Sequence, residues 1–565
     1  MNILKTHNRT RAQESTQAIE RLYITMRHLF NRGFYKPSGV SGETLRESLL
    51  MLRPEIYGSI TEEKMELQGL LYIMDRLPEG IEECRYINLT SDEGYKNSHF
   101  EPIIPLKRRR NCYRIDEEQM NIEITRGRSE IYDILTHLTF LFIESHKILK
   151  QVMVKENGEV IRDWLKLEDA VLNRRKLSQE EKEVVITHTA NFLGRTFEEV
   201  KGIFPYFATE KNENRFFSMV YFLGKLAMEE VLEDKKRIIT FSPVLRERLG
   251  HHIHGEAWAH RIKKVMHEAD LLKRPIHIIS SNMHSVMNSL FASKALPQEY
   301  NRLGALRLYE TISSPNSVAM RERIEKYAER EGMIFIEDMS GTNIDVQIFD
   351  TAKITHPKYS KGISHLDPDK KPVIVVMDYA FGEQAFETMD ELLRPFSDGK
   401  TQTRLNVVSV SIMGKAGILE GGKGDIMIPT AHVFEGTADN YPFKNEITAS
   451  MFADDDVNVY TGTMISVLGT SLQNKDVLKF FHKSTWNVIG LEMEGAHYQK
   501  AIQAASRIRG SISSRVKVRY AYYASDNPLE TGSTLASGGL GTTGVKPTYL
   551  ITEKMLDQIL NVSNK

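Results

Sequence analysis

The sequence predicts an α/β fold for the C-terminal half, with a mixed central sheet flanked by helices, preceded by a mainly α-helical domain. Up to about residue 270, apolar residues recur mostly at the three-to-four spacing of amphipathic helices. From Arg274-Pro275 onward, short apolar runs alternate with helical stretches, the pattern of strands crossed over by helices. At 565 residues the chain exceeds one ordinary domain, and the expected division is 1–271 and 272–565.

In the first half, Ser15 to Phe30 places Ile19, Leu22, Tyr23, Met26 and Leu29 on one helical face, with Ser15 as cap. Thr61 to Leu77, Ser129 to Lys150 and Arg215 to Glu233 repeat the pattern. Ser178 followed by Glu181 is a capping-box start. Pro78 to Arg114 breaks the rhythm with Pro, Gly and charge, and reads as an irregular excursion.

In the second half, the apolar run Ile276 to Ile279 reads as a strand, and Ser280-Ser281-Asn282 caps a helix from Met283 to Ser293. A helix over Met320 to Glu331 precedes strands over Met333 to Glu337 and Ile344 to Phe349. Next come strand Val373 to Met377, helix Glu383 to Leu393 and strand Asn406 to Ile412. Val488-Ile489 leads into Gly490-Leu491-Glu492-Met493-Glu494-Gly495-Ala496 and a helix. Val516 to Ala524 is a strand ending in Ser525-Asp526-Asn527-Pro528-Leu529. Parallel sheets bind ligands at the carboxyl ends of their strands, so the residues after each strand are the candidates.

Composition narrows the function. A net charge of −1 favours neither nucleic acid nor an anionic membrane as partner. The run Lys107-Arg108-Arg109-Arg110 is too short to change that and is expected as a solvated loop. Two cysteines, Cys84 and Cys112, exclude a disulfide framework and a cysteine-built zinc site. Lys5, Arg9 and Arg11 have no apolar segment behind them, and no run approaches the ~20 residues of a membrane span. The expectation is a cytoplasmic protein without cofactor or metal. His251, His252, His254 and His260 lack metal-protease spacing and are read as exposed or interface histidines.

Gly414-Lys415-Ala416-Gly417 reads as a close-approach loop after a strand, with backbone N–H groups free to meet a ligand. Gly417 and Gly422-Lys423 match half of a P-loop. Gly424 stands where the magnesium-binding hydroxyl belongs, so that reading fails. Gly382, between a strand and a helix, marks a second such loop. Glu492 and Glu494 sit among apolar residues, where a carboxylate needs a partner.

Taken in order, Gly414–Gly417, Gly424-Asp425-Ile426-Met427-Ile428-Pro429-Thr430, Tyr460-Thr461-Gly462-Thr463, Glu492–Ala496 and Ser525-Asp526 resemble the nucleoside phosphorylase/nucleosidase superfamily. Within it, Phe434-Glu435-Gly436-Thr437 and Ser525-Asp526-Asn527-Pro528-Leu529 are most similar to AMP nucleosidases. The resemblance covers the C-terminal half and leaves 1 to about 270 without a role. Ile418 stands where the family's loop has a second glycine, and His284 where related nucleosidases place a water-activating glutamate.

The resemblance implies cleavage of a purine N-glycosidic bond, with a purine nucleotide or nucleoside as substrate, phosphate as a further ligand and a homo-oligomer as the assembled form. Asp526 would protonate the departing base and Glu494 would accept ribose hydroxyls. Met493 would pack on the sugar. His284 would act as base, bind phosphate or lie on a helix surface. Gly382, Gly414, Lys415, Ala416, Gly417, Glu492 and Ser525 would line the substrate. Water as nucleophile makes a hydrolase and phosphate a phosphorylase. A degenerate, non-cleaving nucleotide sensor is the reading of another class. The tail Glu530 to Gly544 would be a mobile lid or plain disorder.

Overall fold

The computed structural model describes residues 11–561 apart from 109, 156–157, 174–176, 438 and 531–540. Lys5, Arg9, Arg109 and most of the Glu530–Gly544 tail therefore lie outside the described residues. The chain divides into two compact units. The first holds residues 11–125, 130–251 and 471–476, and the second 126–129, 252–470 and 477–561.

The first unit is rich in helix, as its periodicity predicts. Arg11–Arg32, Gly127–Val152 (from Glu130 onward in this unit) and Arg215–Leu232 are its long helices. The Ser178/Glu181 capping box forms at the start of Gln179–Leu193. Two stretches differ from expectation. The helix expected over Thr61–Leu77 is confined to Leu67–Met74, because Glu66 caps it through the N–H groups of Gln68 and Gly69. The Pro78–Arg114 excursion contributes strands.

Strands β1 (Phe34–Tyr35), β2 (Tyr86–Thr90), β3 (Pro102–Ile103), β4 (Cys112–Arg114), β5 (Gln119–Glu123) and β6 (Ile238–Phe241) form a six-stranded sheet in the order β1-β6-β2-β5-β4-β3. These strands are two to five residues long, too short for a period-two pattern to stand out. Two residues of the basic run, Arg108 and Arg110, are not solvated as expected. Arg110 is buried and pairs with Glu130 at 2.8 Å, and Arg108 pairs with the buried Asp133 at 3.0 Å. Both counter-ions lie on helix Gly127–Val152, about 20 residues later in the chain.

The second unit is organised on a ten-stranded mixed sheet. Its strands are β7 (Ile276–Ser280), β8 (Met333–Ile336), β9 (Val346–Asp350), β10 (Val373–Met377), β13 (Val407–Ile418), β14 (Ile426–Phe434), β15 (Asn440–Pro442), β16 (Val459–Ser466), β17 (Val488–Glu492) and β18 (Lys517–Asp526). A separate ribbon pairs β11 (Phe396–Ser397) with β12 (Gln402–Thr403). The order is β15-β14-β16-β17-β13-β7-β10-β9-β8, and β18 pairs with both β13 and β14. Strands β14, β16, β17, β13 and β18 therefore close on themselves.

Strands β7 and β10 are buried along their whole length because helices cover both faces. On one face, Ile278 and Val375 pack with Trp258, Ile262, Met389 and Tyr498. On the other, Ile279 and Val376 pack with Leu290, Phe291, Ile324 and Leu556. Adjacent residues point to opposite faces, and each such side chain removed from water stabilises the fold by roughly 1.5–3 kcal/mol. Helix Ile253–Glu268 joins the first of these cores, so the division falls at 251/252, ahead of the expected 271/272. Its amphipathic pattern shows that it has a buried face and leaves open which core that face joins. Among the described residues no helix is long and apolar enough to cross a membrane.

Candidate active site

Strands β7, β10 and β13 run parallel, with Ser280 level with Met377 on one side and with Ile412 on the other. Here β7 ends, and Asn282 accepts from the N–H of His284 at 3.0 Å to start helix Met283–Ala295. Strand β10 ends at the same level and delivers Asp378. Strand β13 continues six residues further, from Met413 to Ile418. That extension corrects one expectation. Gly414, Lys415 and Ala416 are not a loop but strand, laddered to Tyr522, Tyr523 and Ala524 of β18. Their backbone groups face a neighbouring strand, leaving the side chain of Lys415 to reach outward.

The ladder slips by one residue at Ala416/Gly417, so Gly417 pairs with Asp526 and Ser525 is the extra residue. Such bulges re-aim the side chains beside them. Ser525 Oγ hydrogen-bonds to Ala416 O at 3.1 Å and to Asp526 Oδ1 at 2.5 Å. Asp526 is only 4% exposed, and its Oδ2 has no hydrogen-bond partner among the described residues. Burial raises its pKa above the ordinary aspartate value, while Ser525, Lys415 and Lys423 pull it down. A buried carboxyl oxygen without a partner costs about 1–3 kcal/mol, a cost retained where the atom has work to do.

On its other side Gly417 pairs with Leu491 of β17. Asp526 and the end of β17 thus straddle one strand, about 10 Å apart. Beyond β17, Glu492 is buried with both oxygens engaged: Ser466 Oγ donates to one, and the N–H groups of Glu494 and Gly495 to the other. Glu492 therefore supports the turn through both of its oxygens. Burial pushes its pKa to about 7. Glu494 lies at the start of helix Gly495–Gln503 and is part-exposed. Its Oε1 accepts from Gly382 N–H at 2.9 Å and its Oε2 from Met493 N–H at 3.3 Å. Burial, then the neighbouring Glu492, push the Glu494 pKa to about 8. The Gly382 turn thus spends its N–H on Glu494. Met493 is buried, with its methyl end beside Gly382.

His284 is exposed and lines a cavity of about 480 Å³ together with Lys415, Arg321, Asn288, Tyr523 and Thr548. Its wall carries no acidic side chain among the described residues. Tyr523 is also hydrogen-bonded to the Tyr379 hydroxyl, so the cavity adjoins the turn after β10. Arg321 and Asp378 carry no motif in the sequence and were missed; position after a strand is the one signal that marked Asp378. Of the histidine cluster, His254 is buried rather than exposed, with its Nδ1 hydrogen-bonded to Ser340 O at 2.5 Å, because the loop before β9 folds over it.

The second unit is thus an α/β domain with a partly closed mixed sheet. The chain belongs to the Family of unknown function (DUF6909), whose model matches residues 43–305 and 299–561. No curated protein matches it. Among solved structures it is similar to a mutant methylthioadenosine nucleosidase of Helicobacter pylori at 13% identity and a TM-score of 0.31, covering 50% of this chain and 98% of that one. The Campylobacter jejuni methylthioadenosine/S-adenosylhomocysteine nucleosidase matches at 10% identity and a TM-score of 0.30, covering 51% and 99%. Futalosine hydrolase of Helicobacter pylori matches at 13% identity and a TM-score of 0.31, over 51% and 99%.

Proposed function

We propose that the protein hydrolyses the N-glycosidic bond of a purine nucleotide, releasing the base and a ribose phosphate. The observation that carries this reading is Asp526, a buried carboxyl with a raised pKa and a free oxygen, set about 10 Å across the sheet from the end of β17, close to Glu494. In this reading a ribonucleoside lies between Asp526 as proton donor and Glu494 as the sugar-binding carboxylate.

As the bond from C1′ to the purine breaks, its electron pair passes to the base, and Asp526 gives its proton to purine N7. Glu494 accepts hydrogen bonds from the ribose hydroxyls, and Met493 packs on the sugar. A water oxygen bonds to C1′, and its proton passes to His284, an exposed imidazole at the start of the helix after β7. The cavity of Lys415 and Arg321, with no acid on its described wall, suits the phosphate end of the substrate. The same basic groups suit inorganic phosphate as nucleophile, which is the second reading.

Incubating the protein with AMP, adenosine and methylthioadenosine, with and without phosphate, separates the readings. Adenine released from AMP in phosphate-free buffer is the expected result. Release that requires phosphate selects the phosphorylase. Binding without any release leaves a nucleotide sensor.

A further inference from the structure

A surface tyrosine ordinarily lays its ring on the protein and keeps its hydroxyl in water. Tyr379, in the turn after β10, does the reverse. Its hydroxyl is turned inward and hydrogen-bonded to Tyr523 and to the backbone of Asn282, while the residue as a whole is 40% exposed. The other end of the side chain is fixed as well. Tyr379 N–H donates to Asp378 Oδ1 at 2.8 Å, and the ring lies over Gly414 of β13, with Cε1 3.9 Å from the position of a Cβ there. Further along the same turn, Gly382 N–H anchors Glu494. Arg126–Ser129, a piece of the same unit, braces the turn through Ser129 Oγ, which accepts from Glu383 N–H at 2.8 Å.

We propose that Tyr379 is the aromatic floor of the ribose subsite, a specificity-determining residue whose exposed ring face stacks on the C–H face of the sugar. The proposal rests on the reading of Glu494 as the ribose acceptor and of the Lys415 cavity as the phosphate end. Position selects the sugar over the base. The ring belongs to the turn that anchors Glu494, and both partners of its hydroxyl, Asn282 and Tyr523, line the cavity of Lys415. Tyr379 thus joins the sugar-binding carboxylate to the phosphate cavity, whereas the base is read beside Asp526. A ring already tied at its hydroxyl and backbone loses little freedom when a ligand arrives, and its apolar face gains by exchanging water for the sugar's C–H groups.

Binding of ribose 5-phosphate and of adenine to wild type, Tyr379→Phe and Tyr379→Ala tests this. Tyr379→Phe keeps the ring, so its Kd for ribose 5-phosphate stays within about threefold of wild type, while Tyr379→Ala raises it about tenfold. Neither variant changes the binding of adenine. A loss as large in Tyr379→Phe as in Tyr379→Ala, no loss in Tyr379→Ala, or an equal loss for adenine overturns the proposal. So does a wild-type protein that fails to bind ribose 5-phosphate. A direct readout guards against an alanine variant that unfolds. In deuterated protein carrying protonated tyrosine, saturating the tyrosine ring protons transfers magnetisation to the C–H protons of bound ribose 5-phosphate. Tyr379→Phe, whose new ring is deuterated, keeps the binding and loses most of the transfer; undiminished transfer in that variant overturns the proposal. Base release is scored separately. Binding that follows this pattern without base release from any nucleotide removes the hydrolase and leaves the aromatic floor standing. Base release from AMP with kcat and KM of Tyr379→Ala equal to wild type does the reverse.

Discussion

The backbone N–H of Gly382 donates to Oε1 of Glu494 at 2.9 Å, tying the turn after β10 to the start of the helix after β17. Gly382 sits at φ +56°, and a Cβ there would collide with Ser129 Oγ. Gly382→Ala combines strain with that collision and is expected to destabilise the second unit by roughly 1–3 kcal/mol. Denaturant unfolding measures this, and an unchanged midpoint refutes it. The surviving folded fraction should also bind nucleotide more weakly, because Glu494 loses its anchor.

Asp526→Asn removes the transferable proton and keeps the shape. Turnover should fall by roughly 10²–10⁴ with substrate affinity nearly unchanged. Single-turnover kinetics beside equilibrium binding separates the two. Base release at the wild-type rate takes Asp526 out of the mechanism.

Glu494→Gln should lower kcat and raise KM together, since contacts to the ribose hydroxyls form on binding and strengthen in the transition state. With its pKa near 8, wild-type Glu494 ionises as pH rises, so kcat/KM should climb toward about pH 8. The Gln variant should lack that climb. An identical profile in both proteins contradicts the assignment.

Lys415→Ala tests the cavity. The lysine projects from a strand, is exposed, and lines a wall that otherwise relies on Arg321 for fixed positive charge. KM for AMP should rise about tenfold, the worth of one charge-assisted contact, while KM for adenosine changes little. Equal effects on both substrates place the phosphate elsewhere.

Glu435 is fully buried, with neither oxygen in a well-formed hydrogen bond and the Leu468 N–H beside it. Burial pushes its pKa to about 8. The unfolded chain ionises near 4.5 while the folded carboxyl holds its proton, so its contribution to stability falls as pH rises from about 4.5 to 8 and then levels. Glu435→Gln lacks that titration, and its melting temperature should gain on wild type progressively across this range. A difference constant with pH shows that Glu435 does not titrate in this way.

The local features were legible in sequence because they depend on neighbours along the chain. The apolar runs of β7, β10 and β18 and the Asn282 cap on Met283–Ala295 were all visible in periodicity and capping chemistry. So was the place of Asp526 at the end of β18. Pairing decides the rest. Gly414–Gly417 has the composition of a loop and becomes strand because β18 lies beside it to take its hydrogen bonds. The one-residue slip that turns Asp526 inward, the occupation of both Glu492 oxygens, and the burial of Arg110 depend on partners up to about a hundred residues away. The seating of Arg126–Ser129 on a turn more than two hundred and fifty residues later has no trace in sequence. A residue's spacing reports which face it occupies; the identity of the group it meets there is set when the chain folds back on itself.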